Sequence, residues 1–247
     1  MTILHLILSG RKYLLFFFLS GCIFVLLSSA KSSKKEKVIQ MNIDKILNAR
    51  PVTTLTDGKL VKWTKGIDGN GEADGYLTKA AAIFNGDKNP KALSDNPLFP
   101  ANEKHPEVLL HYSNSDGISK QAVTVTDAGN FSFEVPAKKY SKLILALTSS
   151  EGASQIKVTL KYADGADSKS FEVPDYYKDI PADDPDFCYL AHDLAKWGKT
   201  NKMTEKDHHN IDLLNVHPDK NRKLVSIQLE KTKPGYLVFW AATGVIK

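Results

Sequence analysis

The sequence predicts an all-β protein, an antiparallel β-sandwich with long loops and at most short helices. Three observations lead there. In residues 155–162, Ile156, Val158, Leu160 and Tyr162 alternate with Gln155, Lys157, Thr159 and Lys161, the period-two pattern of a strand with one buried and one wet face. Leu143 to Leu147 is apolar on both faces, as expected of a strand central to a sheet. About ten such short runs are separated by Asp-Gly and Pro turns, with little helical periodicity. A β-barrel is the alternative architecture; nothing in the pattern specifies closure.

Taken in order, Val38 to Ala49 fits either one helical turn or an edge strand. Val52 to Trp63 reads as a hairpin turning at Asp57-Gly58. The G-I-D-G-N-G-E-A-D-G stretch, residues 66–75, is turn material. Tyr76 to Phe84 is Ala-rich and fits strand or helix, and residues 85–105 form a long surface loop. Strands are expected at Glu107–Tyr112 and Gln121–Thr126, and along Phe131, Phe133 and Val135 after a turn at Asp127–Gly129. The run ending at Tyr162 turns at Asp164-Gly165 into a strand ending at Val173. Residues 178–209 read as a second long irregular stretch. Ile211–Val216, Lys223–Leu229 and Gly235–Ala241 then close the chain as strands, with Val225, Ile227 and Leu229 inward. The core is expected to hold Phe133, Leu145, Val158, Leu160, Ile227 and Phe239.

Charge separates the N-terminal end from the rest. The chain has 33 Lys and Arg against 28 Asp and Glu. Setting aside Arg11 and Lys12, and the four Lys and one Glu of residues 31–37, leaves 27 of each sign in residues 38–247. A neutral folded part does not track phosphates, so no nucleic acid partner is expected. Residues 1–30 place Arg11-Lys12 before an apolar run, Tyr13 to Leu27, and then Ser28-Ser29-Ala30, the order of a signal peptide cleaved near Ala30. Leu19-Ser20-Gly21-Cys22 also fits lipidation at Cys22, and an uncleaved anchor is the third option. The membrane is thus met only through this N-terminal segment, if it is uncleaved or lipidated at Cys22. Export to the periplasm or the exterior is expected, with a charged tether at 31–37 and one domain at 38–247. Cys188, among Phe187, Tyr189 and Leu190, reads as a small buried hydrophobe.

A strand, an S-S-E-G-type turn, a strand ending in Y-A-D-G, a strand ending in V-P-D-Y and a later K-L-V-S-I-Q-L strand follow one another here. This order, over residues 107–241, resembles jelly-roll modules of galactose-binding-like fold in secreted bacterial proteins. Tyr162–Gly165 and Lys223–Leu229 carry most of the likeness. The whole sequence is also similar in style to uncharacterised exported proteins of Bacteroidetes-type bacteria. The resemblance implies a jelly-roll-like fold, an envelope location and association with polysaccharide-degrading enzymes. It supplies no set of sugar-binding residues.

Four clusters bear on chemistry. Asp207-His208-His209-Asn210-Ile211-Asp212 gathers imidazoles and carboxylates, with His208 and Asp212 as candidate metal ligands; adjacent His residues of an extended chain point to opposite faces. Asp179, Asp183, Asp184 and Asp186, broken by Pro181 and Pro185, would suit Ca²⁺, with Asp183, Asp184 and Asp186 as its candidate ligands, although Asp-Pro pairs also start ordinary turns. Tyr176, Tyr177, Phe187, Tyr189 and Trp197 crowd into residues 176–197. There Trp197, with Tyr176 or Tyr177, offers a stacking face for a sugar ring beside Asp193 and Lys196. The competing reading is a short helix over 189–197, whose Leu190, Leu194 and Trp197 pack inward. Glu72, Glu103 and Glu205 are the glutamates of the long loops, without a recognisable context. No G-x-S-x-G elbow, H-E-x-x-H pair or phosphate loop occurs.

These features lead to an exported binding or accessory module with carbohydrate as its ligand, no catalytic residues and no cofactor beyond the Ca²⁺ option. One alternative is a polysaccharide-degrading enzyme with its site in loops 65–105 and 176–209. The other is a structural or adhesive envelope protein without a small ligand.

Overall fold

A computed structural model describes residues 36–69, 74–233 and 235–246. The signal-peptide and lipidation expectations at 1–30, and most of the tether, lie outside the described residues. Lys37, at the tether's end, already belongs to a strand. The described residues form fifteen strands. They are β1 (Lys37–Gln40), β2 (Val52–Thr56), β3 (Lys59–Val61), β4 (Tyr76–Leu77), β5 (Leu98–Phe99), β6 (Val108–Leu109), β7 (Val123–Thr126) and β8 (Gly129–Lys138). After these come β9 (Lys142–Ser150), β10 (Ser154–Tyr162), β11 (Gly165–Val173), β12 (Phe187–Trp197), β13 (Met203–Val216), β14 (Leu224–Lys231) and β15 (Tyr236–Ile246). One six-residue helix, α1 (Lys79–Phe84), starts at Thr78, whose hydroxyl accepts the Ala81 N–H. A single 3-10 turn spans Asp44–Ile46. No helix among the described residues is long and apolar enough to cross a membrane.

The expected sandwich is present as two antiparallel sheets. One runs β12–β13–β9–β15, with β1 and β7 sharing the far edge of β15; the other runs β11–β10–β14–β8. Between them lie Leu143, Leu145, Leu147, Leu214 and Phe239 from the first, and Phe133, Ile156, Val158, Leu160, Phe171, Ile227 and Leu229 from the second. All six core residues expected from the sequence are in this layer. At roughly 1.5–3 kcal/mol for each large apolar side chain removed from water, it is the main stabilising layer. Leu224, rather than Val225, joins it, because the β14 register shifts between Leu224 and Ser226.

The larger sheet is buried on both faces, which explains the two-sided apolar run of β9. Its outer face, carrying Ile144, Ala146, Ile211, Leu213, Val238 and Trp240, is covered by a third layer from residues 49–122, including Val52, Ile67, Tyr76, Leu93, Leu110 and Tyr112. Both ambiguous segments resolve as strand followed by helix, β1 then the 3-10 turn and β4 then α1. The β2–β3 turn has Asp57 and Gly58 at φ 49° and 71°, the left-handed pair that a tight hairpin requires. At the β10–β11 turn the register places Tyr162 opposite Gly165, so Ala163 and Asp164 are the loop residues, not Asp164 and Gly165.

The irregular stretch expected at 178–209 is instead mostly a long hairpin, β12–β13. The helix considered for 189–197 is likewise a strand. Register shifts between Tyr189 and Ala191 and between Ala191 and Leu194 place Leu190 and Leu194 on one buried face at a spacing that mimics a helical stripe.

Candidate functional site

The bulges of β12 and β13 also decide which polar side chains meet. Asp193 and His208 adopt left-handed backbone, with φ of 63° and 75°. The Asp193 N–H donates to Asn210 Oδ1 at 3.0 Å, and Asp193 Oδ1 accepts the His208 N–H at 3.1 Å. These turns send His208 out to solvent and His209 in, so the two imidazoles part as expected of neighbours in an extended chain. Lys196 stands opposite Glu205 in the register.

Two loops are pinned against this part of the hairpin. Gly75 and Trp197 exchange both backbone hydrogen bonds at 2.9 Å, which holds Asp74 close. A Cβ on Gly75 would lie 2.4 Å from the Trp63 ring, so only glycine permits this approach. Asp68 Oδ1 accepts the Asp74 N–H at 2.9 Å and closes the turn. On the other side, the Tyr176 N–H donates to the Ser149 carbonyl at 2.7 Å, and Asp175 accepts the N–H groups of Tyr177 and Gly152.

The result is a dense polar cluster. The Lys196 ammonium is 3.0 Å from Asp68 Oδ2, 2.9 Å from Glu205 Oε1 and 3.6 Å from Asp74 Oδ2, and it also donates to Tyr176 Oη at 3.2 Å. The Tyr176 hydroxyl donates to Asp68, the Tyr177 hydroxyl donates to Glu205 Oε2 at 2.5 Å, and the Thr204 hydroxyl donates to Asp74. The rings of Tyr176, Tyr177 and His209 pack together with centroids 4.5–4.8 Å apart. Tyr176 and His209 are buried, whereas Tyr177 is 42% exposed and the Glu205 side chain 43%.

Charge in the cluster follows from this geometry. Burial works against the Lys196 ammonium, but the Glu205 and Asp68 carboxylates outweigh it and raise its pKa. Burial works against Glu205 too, and hydrogen bonds from Tyr177 and Lys196 outweigh it and hold the carboxyl below its usual value. His209 is lowered by burial, against the Leu194 carbonyl that accepts from Nδ1 at 2.8 Å and with help from nearby Lys196. A neutral His209 with Nδ1–H so committed carries a lone pair on Nε2. That atom is buried, has no hydrogen-bond partner and lies 3.5 Å from Glu205 Oε2.

The structure therefore brings Tyr176, Tyr177 and Lys196 together and separates Trp197 and Asp193 from them. Trp197 is fully buried among Leu77, Ala81, Ala82 and Ala195, so it has no open face for a ring to stack on. Asp193 belongs to a surface cluster in which Lys91 pairs with Asp193 and, at 3.3 Å, with Asp207. His208 Nδ1 lies 2.6 Å from Asp207 there. Ligand atoms of Asp193, Asp207 and His208 lie within 4.8 Å of one another, close enough for one cation, and the Lys91 ammonium already pairs with both carboxylates.

The candidate metal ligands, drawn from two separate clusters, stand apart in the structure. Asp184 Oδ1 accepts the N–H groups of Asp186 and Phe187, which is turn chemistry. Asp186 pairs with Lys169 at 3.2 Å, Asp183 is exposed, and His208 sits in the Lys91 cluster. Asp212 is buried beside Leu147, opposite Tyr189, with neither carboxylate oxygen partnered; burial, with Asp175 adding to it, pushes its pKa up to about 8. Cys188 is half-buried, and burial raises its thiol pKa.

Asp68, Asp74, Glu205 and His209 are the cluster members that sequence reasoning did not assemble. Glu205 stood out only as a loop glutamate and His209 only as half of a His pair. Asp68 lies 128 residues from Lys196 in sequence, so no local spacing connects them. The chain matches no protein-family model, and no curated protein matches it.

Proposed function

We propose that the protein is an exported, envelope-associated carbohydrate-binding module whose site is the cluster around Tyr177 and Glu205. One observation carries the reading. A half-exposed Tyr177 ring stands beside a half-exposed Glu205 carboxylate, both held from behind by Tyr176, His209 and Lys196. A sugar is bound by a flat apolar face against its C–H groups and by polar groups at its hydroxyls, and this pair offers both on a preorganised base. The order of residues 1–30, basic then apolar then small, supports export.

The same cluster gives Glu205 no role as a glycosidase acid. A glycosidase acid needs a raised pKa to hold its proton, whereas Glu205 is held low by Tyr177 and Lys196 despite its partial burial.

A glycan array on the full-length protein in mild detergent tests the reading, followed by the same array on Tyr177→Ala. The expected result is retention of at least one oligosaccharide class by the wild type and its loss in the variant, with the melting temperature of the variant within about 2 °C, as for a surface substitution. An array on which the wild type retains no glycan overturns the reading.

A further inference from the structure

Resting on the carbohydrate reading, we infer that the Tyr177–Glu205 site selects sugars bearing a free ammonium group, that is, deacetylated hexosamines, over neutral or N-acetylated ones.

The argument is a census of donors and acceptors. Among the described residues, the side-chain donors of Lys196, Tyr176, Tyr177 and Thr204 are each already committed, and His209 Nδ1–H is given to the Leu194 carbonyl. Lys196 donates to Asp68, Glu205 and Tyr176, Tyr176 to Asp68, Tyr177 to Glu205, and Thr204 to Asp74. Acceptors are in surplus. Each carboxylate oxygen accepts two bonds, and His209 Nε2 has no partner at all. A ligand must therefore bring donors, and a ligand group that only accepts finds nothing to bind.

Charge narrows the choice further. Among the described residues, Asp68, Asp74 and Glu205 surround the one Lys196 ammonium, so the formal charges of these four groups leave two negatives in excess. A hydroxyl supplies a donor but no charge. An ammonium supplies both, and charge-assisted hydrogen bonds are roughly twice as strong as neutral ones. The exposed Tyr177 ring adds a face that attracts cations, as it already does for Lys196, whose Nζ lies 5.8 Å from its centroid. The buried, unpartnered Nε2 of His209 behind Glu205 marks this as more than a solvated acidic patch, because an imidazole lone pair left unpaired beside a carboxylate is costly unless a donor reaches the pair.

The test is titration calorimetry on the full-length protein with β-1,4-linked hexamers of glucosamine, N-acetylglucosamine and glucose, and with an oligolysine peptide, at about pH 6 where amines are protonated. The expected result is binding of the glucosamine hexamer at least about tenfold tighter than either neutral hexamer. Glu205→Gln should reduce that preference to about twofold, read as the ratio of glucosamine-hexamer to neutral-hexamer affinity within the same variant. Asp74→Asn, at the rim of the cluster, should reduce it in the same direction and serves if Glu205→Gln does not fold. Equal affinity for the three hexamers overturns the inference and leaves the carbohydrate reading standing. Oligolysine binding as tight as the glucosamine hexamer also overturns it, since the site would then read an ammonium regardless of the sugar. No binding to any of the three hexamers overturns this inference, and the glycan array alone then decides the carbohydrate reading.

Discussion

The indole N–H of Trp197 donates to the Asp87 carboxylate at 2.9 Å, so the one polar atom of this fully buried ring is satisfied from a loop that follows α1. Trp197 thereby ties the small third-layer unit of β4 and α1 to the end of β12. Trp197→Ala should cost about 3–5 kcal/mol, as truncation of a buried Trp leaves a large cavity, and should also leave Asp87 Oδ2 with only its bond from the Asn85 amide. Thermal melting checks this. A variant that melts like the wild type would contradict the enclosed position.

Among the described residues, Lys196 is the cation that meets the carboxylates of Asp68, Asp74 and Glu205. Lys196→Met keeps most of the apolar stem but leaves Asp68, Asp74 and Glu205 facing one another. At neutral pH a loss of roughly 3–5 kcal/mol is expected, the usual cost of removing one partner from a buried ion pair. The deficit relative to wild type should shrink as pH falls towards about 4, because Glu205, no longer held low by the Lys196 ammonium, can then take up a proton. Urea titrations of both proteins at the two pH values measure this. A deficit independent of pH would mean that packing, not charge, is what Lys196 supplies.

Asp212 gives a pH dependence of the opposite sense to that of a salt-bridged carboxylate. Its folded pKa of about 8 lies above the ordinary carboxylate value, so the folded state holds the proton longer than the unfolded one. Between the two values the folded state binds more protons, and stability falls as pH rises; below about 4 there is no penalty, and above about 8 it is complete. Asp212→Asn, which cannot ionise, should lose this slope and exceed the wild type by several kcal/mol at about pH 9. The difference between the two stability curves isolates Asp212 from every other titrating group. Parallel curves would show that its carboxylate is solvated.

Gly244 lies in β15 beneath two side chains. An added Cβ would stand 2.5 Å from the Met41 methyl and from the Tyr140 ring, and Tyr140 is held by its hydroxyl bond to the Pro136 carbonyl. Gly244→Ala should therefore overpack this end of the core at a cost of about 1–3 kcal/mol. Denaturant titration should show the loss, and Met41→Ala in the same background should recover part of it. Additive effects would mean that the two positions do not touch.

What the sequence made legible were the stretches whose side chains keep one period. Ile156 to Tyr162 alternates without a fault, and its strand is where the alternation places it. Leu143 to Leu147 announces a strand covered on both faces, although not what covers the second face. Legibility fails where a bulge shifts the period by one. Val225 appears inward and Leu224 is, while Leu190, Leu194 and Trp197 imitate a helix on a strand. The site follows the same logic. Tyr176, Tyr177 and Lys196 lie within one short stretch and meet, whereas Asp68 and Asp74 arrive from a turn that only backbone pairing at Gly75 brings near.

The pairing of Lys37 with Ile246 and of Gln40 with Thr243 has a mechanical consequence. β15 runs from Tyr236, beside the polar cluster's end of the sheet, to Ile246 at the other. If the chain is held through residues before Glu36 while Tyr177 grips a ligand, the pull runs along the strand axes. The bonds between β1 and β15, with that from Met41 to Ala242, are then loaded together in shear rather than peeled one at a time. Four paired residues, backed by the buried side chains of Met41 and Ile43, thus act as a clamp against force at the point where the chain enters the fold.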